Sequence, residues 1–174
     1  MRFIGITGGV GAGKSAILSY LAQKNKTRVL LADEIAHELM EPGTECYHKI
    51  VDAFAGEDIF DATEESIADE VDTFRTAEGV SLVKENPPFH RGKLAKVIFS
   101  DEAKREQMNA IVHPAVKEYV GAVFEAEREK GQLQLLVLEA ALLIEEKYDE
   151  ICDELWYIYT SEENRRARLK ESRG

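Results

Sequence analysis

The stretch from Gly8 to Ser15 (Gly-Gly-Val-Gly-Ala-Gly-Lys-Ser) contains the residues whose types and spacing most directly predict chemistry. It matches the pattern Gly-x-x-x-x-Gly-Lys-Ser/Thr without a mismatch. Glycines let the backbone turn tightly, so that its N–H groups approach phosphate oxygens closely. In this pattern the side chain of Lys14 reaches the β- and γ-phosphates, and the hydroxyl of Ser15 is a ligand of Mg²⁺. The stretch therefore predicts a site for a nucleoside triphosphate and magnesium.

The segments on both sides of this loop are those that the pattern requires. An apolar run over residues 3–7 indicates a buried strand before the loop, and Ile17, Leu18 and Leu21 recur at helical spacing after it. The start of that helix directs its unpaired N–H groups and positive dipole end at a bound phosphate. A glycine-rich turn that merely begins a helix is the alternative, and the strand–loop–helix context makes it the weaker interpretation.

Two carboxylates follow two further predicted strands, over residues 27–31 and 133–138. Strands that alternate with helices predict a mainly parallel sheet covered on both faces, with ligands beyond the carboxyl ends of the strands. Asp33 can accept a proton from an acceptor hydroxyl or hold Mg²⁺ through water, and a helix N-cap is an equally good interpretation. Glu139 can bind Mg²⁺ or its water shell, or be a structural carboxylate at a strand end.

A third set of candidates is basic. The last predicted helix follows a strand over residues 154–160 and carries Arg165, Arg166 and Arg168. Arg168 is predicted to contact transferring phosphate, and the other two to pair with acidic neighbours on an exposed face. Arg91 and His113 are candidates for binding anionic or polar parts of an acceptor, although each alone is more often structural.

Further helices are predicted from their apolar spacing and end signals. One opens at residues 32–33, a second has its apolar face within residues 47–54 and closes near Gly56, and a third begins near Gly92. Ser100 or Asp101 is expected to cap the next helix, and Ser161 the last one. Pro114 is expected to open or kink the helical stretch that follows it.

Composition defines the general class of protein. The chain has 174 residues, of which 44% are hydrophobic and 32% charged, as is typical of a soluble globular domain. No apolar run approaches the ~20 residues of a membrane span. The first strand is expected to begin directly after Met1, which leaves no room for a signal peptide. The two cysteines, Cys46 and Cys152, lack metal-ligand spacing. These features predict a cytoplasmic protein without a disulfide framework or membrane partner.

Charge is distributed unevenly along the chain. The formal net charge is −11, which argues against a general affinity for nucleic acid. Residues 57–86 contain ten acidic and two basic side chains and account for most of this charge. We interpret this acidic segment as a solvated excursion from the core. The pattern gives no indication of the oligomeric state.

Several motifs, in order, resemble the dephospho-coenzyme A kinase family. The loop at residues 7–15 is similar to the opening of these enzymes. Five shorter pieces follow in the same order: Ala-Asp-Glu-Ile-Ala-His at 32–37, Glu-Pro-Gly at 41–43, His-Pro at 113–114, Leu-Leu-Ile-Glu at 142–145 and Tyr-Thr-Ser-Glu-Glu at 159–163. The resemblance covers nearly the whole chain.

This resemblance implies ATP-dependent phosphorylation of the ribose 3′-hydroxyl of dephospho-coenzyme A, the last step of coenzyme A synthesis. It implies an α/β fold: a P-loop NTPase core with a three-layer parallel sheet, a helical acceptor-binding part at about 41–130, and a lid. The lid would begin at about 161–174, with its remainder beyond this sequence. The alternatives are another P-loop nucleoside or nucleotide kinase, and a nucleotide-dependent regulatory switch. The switch is disfavoured because the sequence lacks an Asn-Lys-x-Asp guanine-reading motif.

The resemblance also implies roles for individual residues. Lys14, Asp33 and Arg168 are expected to be catalytic, with Asp33 as the base or the carboxylate that orients the acceptor. The expected ATP-binding residues are Gly11, Ala12, Gly13, Lys14, Ser15 and Ala16. The expected residues for dephospho-coenzyme A are Asp33, Arg91, His113 and Leu142. For Mg²⁺ the expected residues are Ser15, from the glycine-rich motif, and Glu139, from its place at a strand end.

Overall fold

The computed structural model describes residues 1–60 and 87–173. Internal contacts divide the chain into two compact units, Met1–Ala36 with His113–Gly174, and His37–Val112. Most of the acidic segment, residues 61–86, lies outside the described residues, and so does its predicted role as a solvated excursion.

The first unit is built on a four-stranded sheet in which all paired strands are parallel. The strands are β1 (Arg2–Thr7), β2 (Thr27–Leu31), β3 (Leu135–Glu139) and β4 (Glu154–Tyr157). Their order across the sheet is β2-β3-β1-β4. The helices of the described residues are α1 (Lys14–Ala22), α2 (Ala32–Leu39), α3 (Glu45–Ala53), α4 (Arg91–Ser100), α5 (Glu102–Lys130) and α6 (Glu162–Arg173). The predicted α/β fold with a parallel sheet is confirmed.

The strand order creates a crevice between β1 and β3. After β1 the chain continues through α1 to β2 on one side, whereas after β3 it crosses β1 to reach β4 on the other side. Where connections from two adjacent parallel strands diverge in this way, ligands bind beyond the carboxyl ends of the strands. The register pairs Ile6 with Glu139, so that the last residue of β3 is level with the end of β1.

The sheet is buried because both faces of its central strands are apolar. Ile4, Ile6 and Val137 form a buried cluster against which Ile17 and Leu18 of α1 pack. These contacts fix α1, and with it the loop that precedes the helix, against the end of β1. Burial of side chains of this size stabilises a fold by about 1.5–3 kcal/mol each.

The described part of the second unit, residues 37–60 and 87–112, is mainly helical. It contains α3, α4 and the first part of α5, and its buried side chains include Tyr47, Ile50, Ile59 and Leu94. Thr44 caps α3 because its Oγ1 accepts a hydrogen bond from the N–H of Tyr47 at 3.0 Å. This unit overlaps the range 41–130 predicted for acceptor binding, and that role stays a prediction.

Several elements differ from their predicted bounds, and two of these differences have a clear physical cause. Helix α5 continues unbroken through Pro114, although proline removes one helix hydrogen bond. The buried side chains of Val112 and Val116, on both sides of the proline, keep this stretch helical by packing. Strand β4 ends at Tyr157 rather than residue 160, because its partner β1 ends at Thr7 in the paired register. No helix of the described ranges is long and apolar enough to cross a membrane.

Candidate active site

The glycine-rich loop connects β1 to α1 and has a backbone that side chains would obstruct. Gly8 and Gly13 adopt φ values of 151° and 100°. A Cβ atom at Gly8 would lie 2.4 Å from the carbonyl oxygen of Ile158, and one at Gly13 would lie 2.8 Å from an Nη atom of Arg168. Within the described residues, no side chain caps the start of α1. The first N–H groups of this helix, next to the end of β1, therefore have no capping side chain from these residues as a partner.

Lys14 is the first residue of α1 and lies at the centre of the site. Its Nζ atom donates a hydrogen bond to the carbonyl oxygen of Gly8 at 2.6 Å and lies 3.7 Å from Oε1 of Glu139. Both side chains are largely buried, with exposures of 19% and 17%. The loop and the carboxyl end of β3 thus meet at the edge of the sheet where the sequence analysis expects ligands.

Glu139 carries a carboxylate whose charge is only partly compensated. Burial is the largest influence and raises the pKa of this carboxyl, Lys14 lowers it, and the negative charge of Asp33 raises it. The net direction is upward, so the pairing with Lys14 does not offset burial. A carboxylate in this situation gains from an additional cation nearby, as Mg²⁺ would supply.

Asp33 lies in the first turn of α2, two residues beyond the end of β2. It is exposed, and its charge acts on Glu139 across the end of the sheet. Helix α2 begins at Ala32, ahead of Asp33, and no hydrogen bond to this carboxylate exists within the described part of the chain. The structure therefore gives no support to the N-cap interpretation and leaves the carboxylate available.

Helix α6 places two arginines on the glycine-rich loop. Nε of Arg165 donates to the carbonyl oxygen of Val10 at 3.0 Å. Nη1 of Arg168 donates to the carbonyl oxygens of Ala12 at 3.0 Å and Gly11 at 3.4 Å. Arg168 therefore lies beside the glycine-rich loop but contacts its carbonyl oxygens, and its action on phosphate stays a prediction.

The prediction for the other two arginines is half correct. Arg166 pairs with Glu162 at 2.6 Å, as expected for an exposed helix face. Arg165 was expected to do the same and instead contacts the loop. The signal that could have identified it is its spacing of three from Arg168, which places both on one face of a helix.

The remaining candidates occupy separate positions. His113 lies with its Nδ1 atom 2.6 Å from Oε1 of Glu146, so it holds the turn that follows β3. Leu142, in that turn, is 43% exposed. Arg91 belongs to the second unit, where it lines a cavity of about 250 Å³ together with Phe89 and Leu94, among others. Over residues 1–60 and 87–173, no group of three or more His, Cys, Asp or Glu side chains is arranged to hold a metal ion.

The site combines a phosphate loop after β1, a lysine paired with a carboxylate at the end of β3, and a second carboxylate after β2. This combination is typical of the P-loop α/β kinase class of protein. The model of the family described as CoaE, Dephospho-CoA kinase, matches residues 2–70 and 62–174. The chain belongs to the dephospho-CoA kinase family. The family prediction is confirmed, and the comparisons favour neither of the two alternative functions.

Individual relatives carry the same description. The dephospho-CoA kinase of Oceanobacillus iheyensis is 32% identical over 166 residues, covering 95% of this chain and 70% of the relative. That of Symbiobacterium thermophilum is 31% identical over 169 residues, covering 97% of this chain and 60% of the relative. The chain thus spans about 60–70% of the length of these two proteins.

Two solved structures have a similar fold. TT1252 from Thermus thermophilus superimposes with a TM-score of 0.64 at 22% identity, covering 99% of this chain and 73% of that one. The dephospho-CoA kinase from Campylobacter jejuni gives a TM-score of 0.51 at 12% identity, covering 99% and 96%. These likenesses agree with the α/β fold described above.

Proposed function

We propose that this chain transfers the γ-phosphoryl group of ATP to the ribose 3′-hydroxyl of dephospho-CoA, giving CoA. The observation that carries the proposal is the meeting of Lys14, Glu139 and the glycine-rich loop in the crevice between β1 and β3. Membership of the dephospho-CoA kinase family supports this acceptor over a nucleoside or nucleotide. We further propose that the protein acts in the cytoplasm.

Residues 11–16 of the loop and α1 would hold the triphosphate. Their backbone N–H groups supply hydrogen-bond donors, and the start of α1 supplies the positive end of its dipole. Lys14 would exchange its hydrogen bond to the Gly8 carbonyl for a charge-assisted one to the β- and γ-phosphates. Such exchange is favourable because a bond between two opposite charges is stronger than one to a neutral carbonyl.

Ser15 and Glu139 fit a magnesium ion by the chemistry of their donors. The hydroxyl of Ser15 is on an exposed residue, and the Glu139 carboxylate lies beside Lys14 at the same end of the sheet. Mg²⁺ prefers oxygen ligands and usually takes only one or two from the protein, with phosphate oxygens and water supplying the others. When bound, the ion would neutralise charge that develops on the phosphates.

Asp33 would act on the acceptor. Its free carboxylate can accept the proton of the 3′-hydroxyl, or a hydrogen bond that orients this hydroxyl for attack in line with the leaving oxygen. Arg168 donates to the carbonyl oxygen of Ala12 before transfer, and in the transition state it would exchange this bond for one to the transferring group, where it would stabilise negative charge. We propose Arg91, His113 and Leu142 for binding the rest of dephospho-CoA, with His113 acting through the turn that it holds.

An acceptor panel tests the proposed substrate. ATP consumption is measured with dephospho-CoA, adenosine, cytidine monophosphate and no acceptor, and the product is identified by mass. We expect turnover with dephospho-CoA alone, and a product heavier by one phosphoryl group. Turnover with adenosine or cytidine monophosphate instead would indicate a nucleoside or nucleotide kinase. Hydrolysis that is independent of every acceptor would favour a regulatory switch.

A further inference from the structure

Arg165 contacts the glycine-rich loop from its carbonyl side. Its side chain is half-buried, and its Nε atom donates to the carbonyl oxygen of Val10 at 3.0 Å. Its guanidinium carbon would lie 3.1 Å from a Cβ atom at Gly9, so the guanidinium packs closely against the loop backbone. One turn further along α6, Arg168 donates to the carbonyl oxygen of Ala12 at 3.0 Å. Helix α6 thus holds the loop at two peptide units.

Peptide geometry relates these contacts to the opposite side of the loop. In a trans peptide unit the C=O and N–H bonds point in opposite directions, and no cis peptide bond occurs in the described ranges. Because Arg165 fixes the carbonyl of Val10, it also directs the N–H of Gly11 away from α6. Arg168, by holding the carbonyl of Ala12, directs the N–H of Gly13 in the same way.

The amides of Gly11 and Gly13 are available to a ligand. The N–H of Ala12, which lies between them, already donates to the carbonyl oxygen of Gly9 at 3.1 Å. Neither glycine N–H donates a hydrogen bond within the part of the chain that the structure describes. A charged donor on a carbonyl also polarises its peptide unit, which makes the attached N–H a stronger donor.

We propose that Arg165 is a positioning residue for triphosphate binding, acting through the peptide unit between Val10 and Gly11. It holds this unit so that the Gly11 N–H is directed at phosphate, and it does not itself contact the nucleotide. This inference rests on the proposed ATP site and adds a residue of α6 that lies 155 positions away from Val10 in the sequence.

Binding of inorganic tripolyphosphate to the 174-residue chain, measured by calorimetry, tests the inference. Arg165→Met removes the charge and the donor but keeps most of the aliphatic stem. Arg166→Met is the matched control, because Arg166 has the same charge and pairs with Glu162 rather than the loop. We expect Arg165→Met to weaken binding about tenfold, as for the loss of one charge-assisted hydrogen bond, and Arg166→Met less than twofold.

The amide resonances of the loop distinguish positioning from a general loss of structure. When tripolyphosphate is added, the Gly11 and Gly13 amides of the unsubstituted chain should shift together. In Arg165→Met the Gly11 shift should shrink at saturating ligand while the Gly13 shift persists, because Arg168 still holds the Ala12 carbonyl. The thermal unfolding midpoint should stay within a few degrees of that of the unsubstituted chain.

Three outcomes would overturn the inference. Binding by Arg165→Met that equals that of the unsubstituted chain would show that the contact does not matter. Equal losses of tripolyphosphate affinity in Arg165→Met and Arg166→Met would show an effect of charge alone. If the Gly11 and Gly13 amide shifts on ligand addition shrink equally in Arg165→Met, the loop as a whole has lost its structure. If the unsubstituted chain fails to bind tripolyphosphate, the proposed function fails first, and this inference with it.

Discussion

Burial disfavours the charged form of the Glu139 carboxyl group. Its pKa is raised in the folded chain, so the folded state holds the proton more tightly than the unfolded state does. Folding stability therefore decreases as pH rises from the usual glutamate pKa through the raised one, and this loss is complete above the raised value. A residue kept at such a position is typical of a functional site, where binding or catalysis requires it.

Substitution of Glu139 tests whether its charge lowers the free energy of unfolding while it is required for activity. Glu139→Gln removes the charge and keeps the shape, so the free energy of unfolding in urea at pH 7.5 should equal or exceed that of the unsubstituted chain. The difference between the two should vanish at pH values below the usual glutamate pKa, where both side chains are neutral. Activity should fall by about two orders of magnitude or more, as when one stabilising group is lost from a transition state. A clear loss of stability at pH 7.5 would mean that the ion pair with Lys14 is structural.

The junction of β1 with the loop is under a tight steric constraint at Gly8. Gly8 has a φ of 151°, and a Cβ atom there would lie 2.4 Å from the backbone carbonyl oxygen of Ile158, which cannot rotate away. Gly121, within α5, has no atom of residues 1–60 or 87–173 within 4 Å of its Cβ position, apart from its chain neighbours and the backbone of its own helix. The two glycines therefore respond oppositely to the same substitution.

Urea unfolding of two alanine variants checks this expectation. Gly8→Ala should lower the free energy of unfolding by more than about 2 kcal/mol, because strain and a backbone collision act together. Gly121→Ala should raise it by about 0.5–1 kcal/mol, the usual gain of alanine over glycine in a helix. Equal effects of the two substitutions would contradict the geometry described for the loop.

Elements that local sequence patterns define can be predicted, whereas those that depend on distant contacts cannot. The strand, loop and helix around residues 3–21 are predictable because local patterns define them, and the Ser161 cap is confirmed by its bond from the N–H of Asn164. The end of β4 was not predictable, because it is determined by where the neighbouring strand ends. The role of Arg165 was missed for a similar reason, since a contact with Val10 over 155 positions has no local signature.

The site as a whole was predicted in part. The carboxyl ends of parallel strands share one edge of the sheet. This rule predicts that Lys14, Asp33 and Glu139 lie near each other. The sequence did not reveal the strand order, which places β3 directly beside β1. The pairing of Lys14 with Glu139 depends on that order and appears only in the structure.

At the scale of the whole molecule, each unit contains one free cysteine. Cys46 is buried in the second unit and Cys152 is partly buried in the first. Burial raises the pKa of both thiols, that of Cys152 to about 12. Because the thiolate is the reactive form, both should react slowly with a thiol reagent while the chain is folded.

The rate at which each cysteine is labelled tests whether ATP binds to the folded first unit. Under mildly denaturing conditions, the rate at which Cys152 is modified should decrease when ATP and Mg²⁺ are added, because a ligand of the folded state lowers the population of open states. The effect should grow with ATP concentration. Labelling is followed by mass spectrometry of peptides containing each cysteine. A Cys152 rate that does not change at saturating ATP would contradict a nucleotide site in the first unit.

The central claim is that this chain transfers phosphate to dephospho-CoA by means of Asp33. The most direct measurement is the initial rate of CoA formation from ATP and dephospho-CoA by the unsubstituted chain, Asp33→Asn and Glu34→Gln. Glu34 is the exposed acidic neighbour in the same turn of α2 and serves as the matched control. We predict CoA formation by the unsubstituted chain, a decrease of about 10²–10⁴-fold in Asp33→Asn, and a nearly unchanged rate in Glu34→Gln. An unchanged rate in Asp33→Asn, or no CoA formed by the unsubstituted chain, would contradict the claim.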